Sequence, residues 1–169
     1  MNRWRASYDQ GTILLGAAAI FAAAICLGLV ANQFSSLALP LFASEESLRP
    51  EVPSEVAYVG VSEVSARLEE PGLLLLDARI PDEFALGHLP GAINLYVDDF
   101  DSQEPPLRDR LRAATTLVAY CNDMTCDEGA RLCARLSAAG YGNVLLMFEG
   151  WQGWSDAGHP VSAEGAVTR

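Results

Sequence analysis

An uninterrupted apolar run near the start of the chain constrains its fold more than any other feature. Residues 12–31 read TILLGAAAIFAAAICLGLVA and contain no charged or amide side chain. As an α-helix, a run of this length covers roughly the 30 Å hydrocarbon core of a bilayer. Backbone polar groups in lipid must be satisfied within the segment itself, which favours a helix over any open structure. The sequence therefore predicts one transmembrane helix over residues 12–31.

The arginines around this run predict its orientation. Arg3 and Arg5 lie in the short segment 1–11 that precedes it, and the next basic residue is Arg49. Because basic residues accumulate on the cytoplasmic side, we expect a cytoplasmic N-terminus and a single-pass anchor. The rest of the chain would then lie on the extracytoplasmic, periplasmic side of the membrane. The alternative is a signal peptide that is removed by a cut after Ala38.

Residues 32–55 have the composition of a linker. They contain three prolines, several serines and no sustained periodicity, which is typical of an extended connecting segment. The sequence thus divides into this linker, a folded domain over residues 56–162 and a C-terminal tail over residues 163–169.

The composition excludes several classes of partner and cofactor. The net charge of −11, from 22 acidic and 11 basic residues, argues against nucleic acid. The cysteines and histidines show no zinc-binding spacing, so neither a metal nor a cofactor is expected. Two of the four cysteines have simple interpretations: Cys26 fills space in the apolar run, and Cys133 packs inside a helix.

The domain alternates short apolar runs with helical patterns. Strands are predicted near residues 58–59 and over residues 73–76, 92–95, 116–120 and 143–147. Helices are predicted over residues 62–69, 81–86, 107–113 and 127–139, with a last short helix around Trp151 and Trp154. This alternation requires crossover connections and predicts an α/β fold with a mainly parallel, five-stranded sheet flanked by helices.

One cysteine follows directly on a predicted strand. The stretch VAYCNDMTC ends the strand 116–120 and delivers Cys121 to the turn before the next helix. In parallel sheets, sites form beyond the carboxyl ends of the strands. Its position alone makes Cys121 the main candidate for a functional residue.

Three stretches then match one family in order. LLLLDARIPDEFALGHLPGAINL resembles an Asp-x-Arg, Glu-Phe, Gly-His-Ile-Pro-Gly-Ala-x-Asn pattern. VAYC resembles the strand that ends in an active-site cysteine, and LSAAGYGNVLLMFEGWQGWSDAGHPV resembles a closing Gly-Gly-x-x-x-Trp pattern. The chain from about residue 57 to residue 161 therefore resembles a rhodanese-like domain, the family of the sulfurtransferases.

The resemblance implies a chemistry for Cys121. In active members the cysteine thiolate takes a sulfane sulfur from a donor, holds it as a persulfide and passes it to a nucleophilic acceptor. The loop after the cysteine would aim backbone N–H groups and a helix N-terminus at the sulfur. Here that active-site loop would be Asn122, Asp123, Met124, Thr125 and Cys126.

Four further residues are expected to support this site. Asp77 and Arg79 end a buried strand, and Glu83 is close enough in sequence to pair with Arg79 from the next helix. His88 is interpreted as a buried, hydrogen-bonded loop histidine and not as an acid or base.

The loop departs from the commonest pattern of the family, Cys-x-x-Gly-x-Arg. The position of the arginine is occupied by Cys126, and no basic residue occurs before Arg131. Asp123 and Asp127 would raise the pKa of a nearby thiol and repel an anion such as thiosulfate. We therefore expect the donor to be a small persulfide or polysulfide, or a protein persulfide. Thr125 and Asp127 are candidates for capping the helix that follows.

Two other functions remain open at this stage. Cys121 and Cys126 could form a reversible disulfide, with Cys126 as a resolving thiol, which predicts a thiol–disulfide redox module. Alternatively, the domain is a non-catalytic rhodanese-like binding module, and the sequence does not identify its protein partner. A phosphatase is disfavoured, because the arginine that would hold phosphate at the end of the loop is absent.

Overall fold

A computed structural model of the chain describes residues 10–35 and 49–163. The chain divides into two compact units, Met1–Ala43 and Ser44–Arg169, and each is described by itself. The alternative cleavage point after Ala38 lies outside the described residues, as do much of the predicted linker and most of the C-terminal tail.

The N-terminal apolar run is helical, as predicted. Helix α1 comprises Gln10–Phe34, so it begins before and ends after the predicted span 12–31. None of its residues is buried, and its length and composition suit a helix that crosses a membrane. A signal sequence near an N-terminus has the same features. Arg3 and Arg5, on which the predicted orientation depends, lie outside the described residues, so the orientation stays a prediction.

The second unit is built on a five-stranded sheet. Its strands are, in chain order, β1 Ala57–Val59, β2 Leu73–Asp77, β3 Ile93–Asn94, β4 Thr116–Tyr120 and β5 Val144–Met147. They are arranged in the order β1-β5-β4-β2-β3, and each neighbouring pair is parallel. The predicted α/β fold with a five-stranded, mainly parallel sheet is confirmed.

Helices connect these strands. They are α2 Val61–Ala66, α3 Pro81–Leu86, α4 Phe100–Ala113, α5 Glu128–Ala138 and α6 Gly150–Asp156, with a 3₁₀ turn at Val97–Asp99 before α4. Parallel neighbours need such crossovers, because a tight hairpin joins only antiparallel strands.

The central strand β4 is buried along its whole length, and its side chains alternate between two apolar clusters. One cluster lies on the side of α5 and receives Leu117, Ala119, Cys121, Leu132 and Leu136 among others. The opposite cluster receives Val118, Tyr120, Val64, Leu75 and Trp154 among others. The alternation of β4 therefore decides that Cys121 faces the layer that contains α5.

Helix α4 is longer than predicted. The sequence favoured only residues 107–113, because Pro105 and Pro106 precede them and proline disfavours a helix interior. The observed helix nevertheless includes both prolines. Phe100 and Leu111 are buried on its inner face, so tertiary packing outweighs the cost of the missing backbone hydrogen bonds.

Candidate active site

Cys121 lies at the carboxyl end of β4, directly after Tyr120. Its residue is 3% exposed, and it belongs to the cluster that packs under α5. The strand ends beside β2, whose last residue Asp77 is in register with Tyr120. The chain leaves the sheet at this point. Cys121 therefore lies at the carboxyl edge of the parallel sheet, where the sequence predicted it.

The structure brings Cys126 onto Cys121. Their Sγ atoms are joined as a disulfide, and their Cα atoms are 6.3 Å apart, which lies within the usual span of disulfides. Asn122 and Thr125, between them, are exposed, whereas Met124 is half-buried and packs against the cluster beside α5. The disulfide thus closes a short ring that is formed by residues 121–126.

A carboxylate lies against this pair of sulfur atoms. Oε2 of Glu128 is 2.6 Å from Sγ of Cys126 and 3.8 Å from Sγ of Cys121. The backbone N–H of Asn122 points at Sγ of Cys126 over 3.5 Å. Glu128 was not among the residues predicted for the site. A signal was present in the sequence, since Glu128 is an acidic residue in the first turn of the helix that follows the loop.

Asp123 organises the loop between the two cysteines. Its Oδ1 accepts hydrogen bonds from the hydroxyl of Thr125 at 2.6 Å and from the N–H of Thr125 at 2.8 Å. These bonds lower the pKa of Asp123, with the hydroxyl as the larger cause. The loop is therefore held closed around an ionised carboxylate.

Two expectations for this loop are wrong. The Thr125 hydroxyl binds Asp123 and does not cap α5, and Asp127, at the N-cap position, makes no capping hydrogen bond with its side chain. The N–H groups of the loop also do not converge on Cys121. Those of Asn122, Thr125 and Cys126 donate to the Cys126 sulfur, the Asp123 carboxylate and the Asp123 carbonyl, respectively.

Helix α6 holds the first residues of the loop from outside. The N–H of Trp151 donates to the carbonyl of Cys121, and the N–H of Gln152 donates to the carbonyl of Asn122, both at 2.8 Å. Gly150 makes this approach possible, because it has φ +64° and a Cβ placed there would meet both carbonyl oxygens at 2.7 Å. This Gly-Trp stretch belongs to the closing pattern noted in the sequence, but its backbone contacts were not predicted.

Asp77 and Arg79 form a buried pair at the end of the neighbouring strand. The guanidinium of Arg79 donates to both carboxylate oxygens of Asp77, with a shortest distance of 2.7 Å, and to the carbonyl of Gly87 at 2.7 Å. We had expected Arg79 to pair with Glu83. In the structure it pairs with Asp77 instead. The reason is that the carboxylate two residues back is buried beside the guanidinium.

The pair is linked to the loop through Trp151. The guanidinium carbon of Arg79 lies 4.9 Å from the centre of the Trp151 ring, and the N–H of the same tryptophan holds the carbonyl of Cys121. Burial lowers the pKa of Arg79, but the hydrogen bonds with Asp77 and the negative charge of that carboxylate, together with smaller contributions from its neighbours, raise the pKa above its ordinary value. The scaffold at β2 therefore supports the loop at β4.

His88 has the structural surroundings expected of it. Its ring stacks on Phe84, with centroids 3.8 Å apart, and its Nδ1 lies 2.9 Å from the Phe84 carbonyl. Since a carbonyl only accepts, Nδ1 must carry the proton. The backbone of His88 exchanges two hydrogen bonds with Ser162, so this residue anchors the end of the domain to α3.

Three ligand atoms, at the two ends of the loop and at the start of α5, lie close enough to hold a cation when the sulfurs are reduced. These are the sulfurs of Cys121 and Cys126 and a carboxylate oxygen of Glu128, all within 4.8 Å of one another. Two thiolates and a carboxylate suit a borderline metal such as zinc. Sulfur atoms joined as a disulfide are poor ligands, so metal binding and pairing of the cysteines exclude each other.

Comparison with known proteins identifies relatives of the folded domain. The family model of the rhodanese-like domain matches residues 60–157. The uncharacterized protein YibN of Escherichia coli K12 is 25% identical over 108 residues, which cover 64% of this chain and 73% of YibN. A probable 3-mercaptopyruvate sulfurtransferase of Pseudomonas aeruginosa is 32% identical over 164 residues, or 80% of this chain and 55% of that protein.

A solved structure agrees with these relatives. The crystal structure of a thiosulfate sulfurtransferase from Pseudomonas aeruginosa superposes with a TM-score of 0.56 at 26% identity, covering 70% of this chain and 21% of that one. The chain thus corresponds to a part of this larger protein.

Proposed function

Because the chain belongs to the rhodanese-like domain family, we propose that it is a membrane-anchored sulfurtransferase whose Cys121 carries sulfane sulfur as a persulfide. The observation that carries this proposal is the placement of Cys121. Its thiol is delivered by the central strand to the carboxyl edge of a parallel sheet, where sites form. Its carbonyl is held by Trp151, so the backbone under the sulfur is fixed before any substrate arrives.

The charge of the loop supports one class of donor. Asp123 lies between the two cysteines, and Asp127 and Glu128 follow Cys126. The first basic residue after the loop, Arg131, forms an ion pair with Asp98. A dianion such as thiosulfate would meet like charge in this loop. We propose a hydropersulfide donor, either a small molecule or a protein. The Cys121 thiolate forms a bond to the outer sulfur of the donor, and the donor thiolate leaves with the electron pair of the broken S–S bond.

The test uses Cys121→Ser and the matched control Cys133→Ser in the reduced full chain in detergent. After treatment with glutathione persulfide, cyanide-labile sulfur should be present on Cys121 in Cys126→Ser, which lacks the second cysteine of the loop, and should be lost in Cys121→Ser. Cys133→Ser should behave as the wild type does. Labile sulfur that remains in Cys121→Ser would rule out Cys121 as the carrier.

Helix α1 supports the anchored form of the proposal. We propose that it stays in the membrane, with the N-terminus in the cytoplasm and the domain on the periplasmic side. Alkaline carbonate extraction of native membranes should leave the full-length chain in the pellet, and protease added to spheroplasts should digest the domain. A soluble chain that lacks α1 would indicate a cleaved signal sequence instead.

The pairing of the two cysteines favours a second candidate function. Two cysteines that are paired as a disulfide on a short loop are also the arrangement that thiol–disulfide exchange requires. Thiol trapping of the native protein, followed by peptide mapping, tests this candidate. Two free thiols at Cys121 and Cys126 under both oxidising and reducing conditions would eliminate it.

A further inference from the structure

We infer that the site discharges its own persulfide. In this step Cys126 attacks Sγ of Cys121, sulfide leaves, and the Cys121–Cys126 disulfide remains. Glu128 carries the proton from the Cys126 thiol to the departing sulfide. The inference rests on the proposed function and defines its product and its reductant.

The first support is the reach of Cys126. Cys121 and Cys126 are paired, with their Cα atoms 6.3 Å apart, so Cys126 reaches Cys121 without a rearrangement of the sheet or of α5. Holding a nucleophile this close replaces a bimolecular reaction with an intramolecular one of high effective concentration. The same closeness directs the attack to the inner sulfur, because only that attack forms the ring that the structure contains.

The second support is the position of the Glu128 carboxylate. Its Oε2 lies 2.6 Å from Sγ of Cys126 and 3.8 Å from Sγ of Cys121. In the reduced protein the Cys126 thiol donates to this oxygen, which accepts its proton when the sulfur becomes a nucleophile. The same oxygen is close to Cys121, where the leaving sulfide needs a proton.

The third support is the N–H of Asn122. It points at Sγ of Cys126, so the amide that follows the persulfide-bearing residue stabilises negative charge on the attacking sulfur. Cys126 thus has both a base and a hydrogen-bond donor. This arrangement is that of a nucleophile and differs from that of a cysteine that only fills space, as Cys133 does in α5.

The step balances in atoms and electrons. The bond between Sγ of Cys121 and the sulfane sulfur breaks, and the bond between Sγ of Cys121 and Sγ of Cys126 forms. The sulfane sulfur is reduced to sulfide, and the two cysteine sulfurs are oxidised to the disulfide. The next cycle requires a protein dithiol that reduces this disulfide by thiol–disulfide exchange. The partner implied is therefore a dithiol reductase on the same side of the membrane.

The experiment compares the wild type with Cys126→Ser as full chains in detergent. Both are reduced, freed of reductant and treated with one equivalent of glutathione persulfide. The wild type should release stoichiometric sulfide and end as the Cys121–Cys126 disulfide. Cys126→Ser should release no sulfide and should gain the mass of one sulfur on Cys121. The matched control Cys133→Ser should follow the wild type.

The outcomes separate the two proposals. If Cys126→Ser and the wild type both load sulfur and retain it equally, internal discharge is wrong and the sulfurtransferase proposal stands. If neither protein gains sulfur, or if Cys126→Ser is trapped as a mixed disulfide with glutathione, the persulfide itself is wrong and both proposals fail.

Glu128→Gln tests the proton carrier, with Glu69→Gln, at an exposed position outside the loop, as a matched control. Glu128→Gln should still load sulfur, but its sulfide release at neutral pH should be slower by about 10²-fold. The difference should shrink as the pH rises, because hydroxide then deprotonates Cys126. Glu69→Gln should remain within about 3-fold of the wild type, since only removal of the general base is expected to slow the step. A rate for Glu128→Gln that equals the wild-type rate would overturn the role of Glu128.

Discussion

The carboxyl ends of β2 and β4 are neighbours in the sheet, yet they carry opposite kinds of chemistry. At the end of β2, the carboxylate of Asp77 is fully buried and bound by Arg79. At the end of β4, Cys121 lies beside a second sulfur and the carboxylate of Glu128, which contacts sulfur atoms. One strand end has a neutralised, closed pair, and the other has reactive groups with an excess of negative charge.

The difference shows how one fold separates support from reaction. Arg79 stacks on Trp151, and the N–H of Trp151 holds the carbonyl of Cys121. The closed pair therefore positions the backbone under the reactive sulfur without touching that sulfur. Changes at β2 should act on stability, and changes at β4 should act on thiol chemistry.

The largest effect is expected from Asp77→Ala. This change leaves the Arg79 guanidinium buried without its partner, which typically destabilises a protein by about 3–5 kcal/mol. Urea unfolding of the full chain in detergent, followed by tryptophan fluorescence, measures the loss. The matched control is Glu70→Ala, which breaks an exposed ion pair with Arg67 and should cost under about 1 kcal/mol. Equal losses in the two variants would remove the distinction between the buried pair and a surface pair.

The next largest effect is a difference in labelling rate between the buried thiol of Cys133 and the thiol of Cys126 in the loop. Cys133 is fully buried in α5, and burial raises the pKa of its thiol to about 12. In the reduced native protein at pH 8, iodoacetamide should label Cys133 more slowly than an ordinary exposed thiol by on the order of 10³-fold. Cys126, which is half-buried, should react faster than Cys133. Peptide mapping reads out both rates, and labelling after denaturation should be equal for the two.

Gly150→Ala tests the support of the loop directly. A Cβ at Gly150 would meet the carbonyl oxygens of Cys121 and Asn122, and overpacking of this kind typically costs about 1–3 kcal/mol. Gly158→Ala is a matched control, because Gly158 has φ +71° but no atom within 4 Å of its Cβ position. Gly150→Ala should be the less stable of the two and should load sulfur more slowly. Identical behaviour would show that only backbone strain matters at these positions.

The smallest effect on stability is expected at Glu104 in α4, which belongs to neither of the two strand ends. Hydrogen bonds from Arg108 and then from Tyr141 lower the pKa of Glu104 to about 2 from its ordinary 4.5. Because the folded-state pKa is the lower one, the stabilisation is complete above about pH 4.5 and is lost as the pH falls towards 2. Glu104→Gln should flatten the loss of stability with acid in this window, as thermal unfolding at several pH values would show. Glu69→Gln, at an exposed position, should leave the pH dependence unchanged.

Much of the fold was predictable because its signals are local. The unbroken apolar runs of β2 and β4 predict strands buried on both faces, and their alternation with helices predicts a parallel sheet. The first part of α4 was missed, since the prolines at positions 105 and 106 are local signals against a helix, whereas Phe100 and Leu111 favour it only through packing. The predicted pairing of Arg79 with Glu83 was also wrong, because Asp77, the other nearby carboxylate, is the one buried beside the guanidinium.

For the site, the sequence alone determined the candidate nucleophile, the second cysteine and the acidic character of the loop. These features depend on residue order, since the chain must leave β4 at Cys121 and return within a few residues to begin α5. Only the tertiary structure decided which groups meet: Glu128 at the two sulfurs, Trp151 at the carbonyl of Cys121 and Asp77 at Arg79. Contacts of this kind depend on the directions in which the loop and the neighbouring strands and helices are packed, and those directions are set by burial across the whole domain.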